Sequence, residues 1–437
     1  MNQNNPPKRI TSTVINALKG GVVPRVGLGY IAVGPGQENS ALLHDIEIIA
    51  EGGAAFRFIV GRYGSGKSFL LQTIRNYATE RGFVVVDADL SPERRFVGTR
   101  GQGLATYKEL MKNMSTKTKP DGGALPLILE RWISGIKSLV VSEENLSPED
   151  PAFELQVKRQ IQKVVNSLEG MVNGFEFARA IELYYEAYTT GDDSMKSNVL
   201  KWFRGEYPTK TEARRDLGIN FIVTDDSWYD FLKIFSSFMV HAGYRGMLVI
   251  IDELVNIFKI PQSVTRQSNY EKILTMYNDV LQGKASHIGF LLGGTPQCIE
   301  DKYRGVFSYE ALRSRLSEGR FASDTMKDML SPIIRLQMLT PEEMYVLIEK
   351  LSRMHGQLFG YAPTITREEL LRFLEAEYNR VGAVSHITPR EIIRDFIELL
   401  NILLQNPESR IEDILGSESF APAPPEGEEG LFAEFEL

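Results

Sequence analysis

Residues 55–90 read AFRFIVGRYGSGKSFLLQTIRNYATERGFVVVDADL, and the order of patterns within this stretch decides the fold. AFRFIV is a short apolar run of the kind that forms a buried strand. A glycine-rich loop follows it, then KSFLLQTIRNYATERG with apolar residues at helical spacing, then FVVVDADL, which reads as a second strand. Strand, loop, helix, strand implies a parallel sheet with a crossover helix, because a tight turn cannot join parallel neighbours. In sheets of this kind ligands bind at the carboxyl ends of the strands.

The loop, Gly61-Arg62-Tyr63-Gly64-Ser65-Gly66-Lys67-Ser68, satisfies G-x-x-x-x-G-K-[ST] and runs on into Phe69. Its glycines let the backbone curl so that consecutive N–H groups face a polyphosphate at a helix N-terminus. In that reading Lys67 reaches the β and γ phosphates and the Ser68 hydroxyl ligates magnesium. The flanking strand and helix are the context this P-loop pattern requires, so Gly61 to Phe69 are expected to bind ATP with Mg2+. Further on, MLVIID at 247–252 is an apolar strand ending in Asp252, with Glu253 next. A magnesium nucleotide gives such a strand a reason to end in two acids: Asp252 holds the metal's water shell and Glu253 polarises the attacking water. The adjacent acid favours hydrolysis over storage of nucleotide.

Outward from these motifs, residues 1–50 read as an entry segment, with a helix-like stretch from Thr11 to Leu18, the run GGVVPRVGLGYIAVGPGQ, and an amphipathic segment from Ser40 to Ala50. Residues 51–100 and 241–335 form the nucleotide-binding core, in which MLVIID and IGFLLGG (288–294) are further strands of the sheet. Residues 101–240 are rich in helical periodicity and poor in strand-like runs, and so read as a mainly helical insertion. Residues 336–405 alternate amphipathic helices with turns, as an all-helical lid would. Residues 406–437 read as an acidic, disordered tail, with six glutamates after residue 416 and Phe420, Phe432 and Phe435 interspersed. No repeat of 20 to 50 residues stands out.

Composition sets the outer bounds. Of 437 residues 43% are hydrophobic and 24% charged, which excludes a wholly disordered or fibrous chain. One cysteine, Cys298, cannot form an internal disulfide, and five histidines show no zinc-type cluster. With no signal-like start and no apolar run of membrane length, the chain is expected to be cytoplasmic and not membrane-bound. The net charge of −8 falls to −2 once the six tail glutamates are set aside (−8 + 6), so charge decides little about nucleic acid.

Taken in order, the P-loop, the Asp252-Glu253 strand, a strand ending at Thr295 (GFLLGGTPQ), an Arg-x-Arg helix (ALRSRL) and a helix opening Thr388-Pro389-Arg390 resemble an AAA+ ATPase over residues 20–405. That resemblance implies an α/β P-loop core with a parallel sheet. It gives Thr295 as first sensor, Arg313 or Arg315 as an arginine finger supplied to a neighbouring subunit, and Arg390 as second sensor. A guanidinium fork suits phosphate oxygens gaining negative charge. Two departures stand out. The 185 residues from Lys67 to Asp252 exceed what a bare AAA+ core needs, and the roughly 30 residues given after the lid are not expected to hold a winged-helix domain. The run VVPRVGLGYIAVG resembles the stretch lying over adenine in this class, although Pro35 stands after Gly34 where an arginine is usual.

More narrowly, ALKGGVVPRVGLGYIAVG, FRFIVGRYGSGKSFLL, VVVDADLSPE, HAGYRGMLVIIDELVNI, ALRSRL and HITPREIIRDFIELLNIL are similar to the BrxD-like ATP-binding proteins of bacteriophage-exclusion (BREX) and related defence loci. The resemblance implies an ATP-hydrolysing protein of an antiviral system, coupling nucleotide state to DNA or a partner protein. It implies other subunits of a defence complex as partners, among them a helicase, and a homo-oligomer when ATP is bound. Two alternatives remain open: a slow-turnover switch or scaffold that recruits an effector, and a replication-initiator-like loader. For nucleic acid, Arg94-Arg95, Lys158-Arg159 and Lys163 are candidate phosphate contacts, and Tyr184-Tyr185 or Trp202-Phe203 candidate base-stacking residues.

Overall fold

A computed structural model describes residues 6–34, 36–317, 327–362, 365–379 and 388–415. Two compact units divide the chain: a larger one of residues 37–60 and 74–335, and a smaller one of residues 1–36, 61–73 and 336–437. The acidic tail beyond Leu415 and Pro35 lie outside the described residues.

Among its described residues the larger unit is an α/β fold on five strands: β1 (Ala54–Val60), β2 (Val84–Asp89), β3 (Met247–Asp252), β4 (Ile288–Gly294) and β5 (Ile333–Arg335), in the order β2-β3-β4-β1-β5. All neighbouring pairs are parallel. The strands are apolar along almost their whole length because both faces are covered, as parallel sheets require. Asp89 pairs with Asp252 and Val60 with Gly294, so β1 to β4 end on one carboxyl edge. β3 and β4 occupy the stretches their sequence marks, whereas β5, three residues opposite Phe58–Val60, is too short to carry a periodic signal.

Seven helices separate β2 from β3: Gln102–Lys112, Leu125–Glu143, Phe153–Glu169, Gly174–Thr190, Asp193–Phe203, Lys210–Leu217 and Trp228–His241. They share one continuous core with the sheet. Phe177 lies 4.9 Å from both Phe203 and Phe235, Trp132 lies 5.3 Å from Phe238, and Tyr229 reaches Phe290 of β4 at 6.1 Å. Tyr184, Tyr185, Trp202 and Phe203 are at most 3% exposed. Their burial removes them as candidates for base stacking. Burying one such ring returns about 4–6 kcal/mol of transfer free energy at ~25 cal/mol/Å², against about 1–3 kcal/mol for a stacked base, so these rings stay inside.

The smaller unit is helical throughout its described residues: Lys8–Lys19, Leu28–Ile31, the first turns of Lys67–Glu80, Pro341–Phe359, Arg367–Asn379, Pro389–Gln405 and Ile411–Leu415. Two of these helices start from the same four-residue device. Thr340 and Thr388 each cap a backbone N–H three residues on, while Glu343 and Glu391 reach back to the cap N–H at 3.0 and 2.7 Å, and a proline fills the first turn. Their apolar stripes meet Val14, Ile15, Met344, Ile348, Leu351, Phe373, Phe396 and Leu400 in a second core. No helix among the described residues is long and apolar enough to cross a membrane.

An ion pair is buried inside the larger unit. Arg57, on β1, donates to both carboxylate oxygens of Asp45 at 2.7 Å, with side-chain exposures of 8% and 7%. A bidentate pair this deep is strongly destabilising to break, since the surviving charge stays buried without compensation. Asp45→Asn is expected to lower the larger unit's stability by about 3–5 kcal/mol, to be read from the shift of its urea midpoint at unchanged slope.

Candidate functional site

In the smaller unit, the loop begins at Gly61, which follows the last residue of β1 directly. Gly64 and Gly66 have φ of +82° and +84°, left-handed values that a side chain would strain. A Cβ on Gly61 would lie 2.1 Å from Ser65 Oγ, so the loop coils onto itself only because residue 61 has no side chain. The Lys67 ammonium arches back to donate to the carbonyls of Gly61 (2.8 Å) and Arg62 (3.0 Å). Ser65 Oγ is buried with no hydrogen-bond partner, an orphaned donor within the loop. Coiled glycines, an ammonium folded back over the loop and an unsatisfied hydroxyl at a helix N-terminus together fit a polyphosphate. Ser68 is exposed on the first turn, and Phe69 packs against the smaller unit's core.

The helix Pro389–Gln405 opens directly against this loop. A Cβ on Gly64 would meet the Thr388 side chain at 2.9 Å. Arg390 donates from Nη1 to the Tyr63 hydroxyl and sets its guanidinium carbon 5.0 Å from the centre of that ring. The run VVPRVGLGYIAVG lines an open cleft of about 360 Å³ through Ala32, Val33 and Gly34, facing Glu342, Glu343, Val346 and Lys350. Lys350 donates to the Ala32 carbonyl at 2.6 Å, and burial pulls its ammonium below the usual lysine range.

In the larger unit, β3 delivers Asp252 half-buried and Glu253 exposed at the carboxyl edge. A Cβ on Gly293 would lie 2.1 Å from Asp252 Oδ1, so the carboxylate leans over β4 into space that only glycine leaves. Asp252 Oδ1 also accepts the Glu253 N–H at 2.8 Å. Asn256 ties the edge together, donating to the Leu90 carbonyl at 2.9 Å. Sequence reading singled out neither Gly293 nor Asn256, although the paired glycines closing IGFLLGG are a signal of close approach. Thr295 caps the helix Pro296–Glu300, its hydroxyl accepting the Cys298 N–H at 3.3 Å. Arg313 and Arg315 lie on the helix Glu310–Leu316, the first 3.9 Å from Glu310 and the second donating to the Ala311 carbonyl at 2.8 Å. Arg94 donates to the Asp89 carbonyl at 2.9 Å, while Lys158, Arg159 and Lys163 are exposed on Phe153–Glu169. Among the described residues no group of three His, Cys, Asp or Glu side chains forms a ready-made metal cage.

Glu253 adopts φ +63°, which is unusual for a residue with a side chain. The left-handed conformation costs such a residue roughly 1–2 kcal/mol, and glycine escapes most of it. Glu253→Gly is therefore expected to raise thermal stability by about 1 kcal/mol while removing the carboxylate. Calorimetry checks this, and a lower transition temperature counts against strain at the strand end.

No curated relative matches the sequence. The family model described as BREX system ATP-binding protein BrxC/D matches residues 7–419, a span that includes the loop, the Asp252-Glu253 strand end and the Thr388-Pro389-Arg390 helix. The chain belongs to that family of BREX ATP-binding proteins.

Proposed function

We propose that this BREX protein is a magnesium-dependent AAA+ ATPase whose nucleotide state controls its grip on DNA or on another subunit of the defence complex. The observation that carries the reading is the Arg390 guanidinium set on Tyr63 of the glycine loop, which brings to that loop a second cation in addition to Lys67. The loop amides and Lys67 bind the phosphates, Lys67 through charge-assisted bonds. Ser68 and Asp252 hold magnesium, which screens phosphate charge when bound with ATP. Glu253 orients and polarises the attacking water, and its unfavourable backbone supports a functional role, since strain persists where function selects it.

Arg313 and Arg315 project from a short helix, and in this reading one of them acts as a finger on a neighbouring copy, so the ATP-bound form is a homo-oligomer. Thr295 serves as first sensor while capping its helix. Residues 101–240, the helical insertion, act as the partner-facing body, and residues 336–405 as the lid.

Lys67→Ala is expected to abolish ATP binding, whereas Glu253→Gln retains binding and loses about 10²–10⁴-fold in turnover. Steady-state hydrolysis with and without double-stranded DNA, set beside ATP titration of both variants, checks these outcomes. Normal ATP affinity in Lys67→Ala sinks the site assignment. Turnover that DNA accelerates several-fold identifies a DNA-coupled enzyme, and slow turnover indifferent to DNA with tight nucleotide retention identifies a switch addressed to a protein partner.

A further inference from the structure

We infer that Tyr63 is a positioning residue that holds Arg390 at the glycine loop, charged and oriented, before nucleotide arrives. The inference rests on the nucleotide reading above and adds to it a role for a residue that phosphate binding does not itself require. The loop holds phosphates through backbone N–H groups, so the third position needs no particular side chain. It nevertheless carries a large aromatic ring that is 61% exposed, where solvent contact with apolar surface is unfavourable.

The contacts of the ring explain its presence. Its face receives the Arg390 guanidinium at 5.0 Å and its hydroxyl accepts from Arg390 Nη1. The arginine stem also runs close to Gly21, where a Cβ would lie 3.5 Å from Arg390 Cδ. The neighbouring carboxylate, Glu391, is committed to the Thr388 cap through the Thr388 N–H and hydroxyl at 2.7 and 2.8 Å. Among the described residues no carboxylate pairs with Arg390.

The choice of partner matters chemically. A carboxylate would fix Arg390 equally well but would neutralise it, and phosphate would then have to displace an ion pair. A phenol and a π face hold the guanidinium weakly and leave its charge intact, so a terminal phosphate oxygen outcompetes them at little cost. Arginine otherwise enters such a site with all its rotamer freedom still to lose, and prior placement removes that part of the cost of binding. The ring should therefore favour the nucleotide whose terminal phosphate Arg390 meets, and should act only through Arg390.

A double-mutant cycle reads this directly. Calorimetric titration of the full chain with magnesium and the non-hydrolysable analogue AMP-PNP, then with ADP, is carried out on the unsubstituted protein, Tyr63→Ala, Tyr63→Phe, Arg390→Ala and the Tyr63→Ala/Arg390→Ala double variant. Tyr63→Ala is expected to weaken AMP-PNP about three- to tenfold and ADP by less than about twofold. Tyr63→Phe keeps the ring face and recovers part of the loss, which also separates the effect from misfolding. In the Arg390→Ala background the Tyr63→Ala change is expected to do nothing more. An equal loss from Tyr63→Ala in both backgrounds, or an equal loss for AMP-PNP and ADP, overturns the positioning role while leaving nucleotide binding standing. Failure of the unsubstituted chain to bind either nucleotide overturns the nucleotide reading, and the positioning role with it.

Discussion

The parallel pairing of β1 with β4 is the constraint on which the larger unit depends. Ala54 lies opposite Ile288, and the two are 234 residues apart in the chain. A parallel ladder cannot be closed by a turn, so the intervening chain must fold onto the faces of the sheet or leave them wet. This is why the seven helices between β2 and β3 pack as they do: Tyr229 and Phe290, from helix and strand, belong to the same core. The helical block is part of what buries the sheet, and removing it would expose the apolar strands it covers.

The same pairing sets the chemistry of the carboxyl edge. β4 lies between β3 and β1, and its Gly293 is the only kind of residue that lets the Asp252 carboxylate lean across it, since a Cβ there would approach Oδ1 to 2.1 Å. One residue further, the chain turns through the left-handed Glu253 and Leu254 donates back to the Gly293 carbonyl at 3.0 Å. The acids are therefore placed by a missing side chain and a strained backbone, two features whose cost is repaid by the apolar pairing behind them.

How much of this could be read from residues alone follows from how local each signal is. MLVIID and IGFLLGG are strands to the residue, because a run of buried aliphatics carries its own boundaries. The glycine loop was legible because its spacing encodes one backbone conformation. Helix ends were less so: the helix Lys8–Lys19 and the helix Gln37–Ala50 start earlier than the expected Thr11 and Ser40, because the flanking polar residues carry no apolar period. β5 was missed for the same reason at smaller scale. The aromatic pairs Tyr184-Tyr185 and Trp202-Phe203 misled because composition shows what a ring can do and not which way it faces. Arg57 and Gly293 depend on Asp45 and Asp252, partners distant in sequence, and no period or motif announces them.

Five arginines contrast in the charge of what holds them. Arg57 is clasped by both oxygens of Asp45, Arg75 meets Asp87 at 3.1 Å, and Arg335 meets Glu300 at 2.9 Å. In each the guanidinium is spent on a carboxylate and serves the fold. Arg390 instead leans on a neutral phenol, and Arg315 donates to a backbone carbonyl. A cation meant for an incoming phosphate must be held without being neutralised, since an ion pair that has to be broken takes back much of what the new one returns. By this argument Arg315 is better suited than Arg313 to act on a neighbouring copy, because Arg313 already stands 3.9 Å from Glu310. That pair is exposed and weak, worth a few tenths of a kcal/mol at most, so it orders the two arginines without excluding either; what it takes from Arg313 is some of the positional freedom and net charge that a finger must bring to its target.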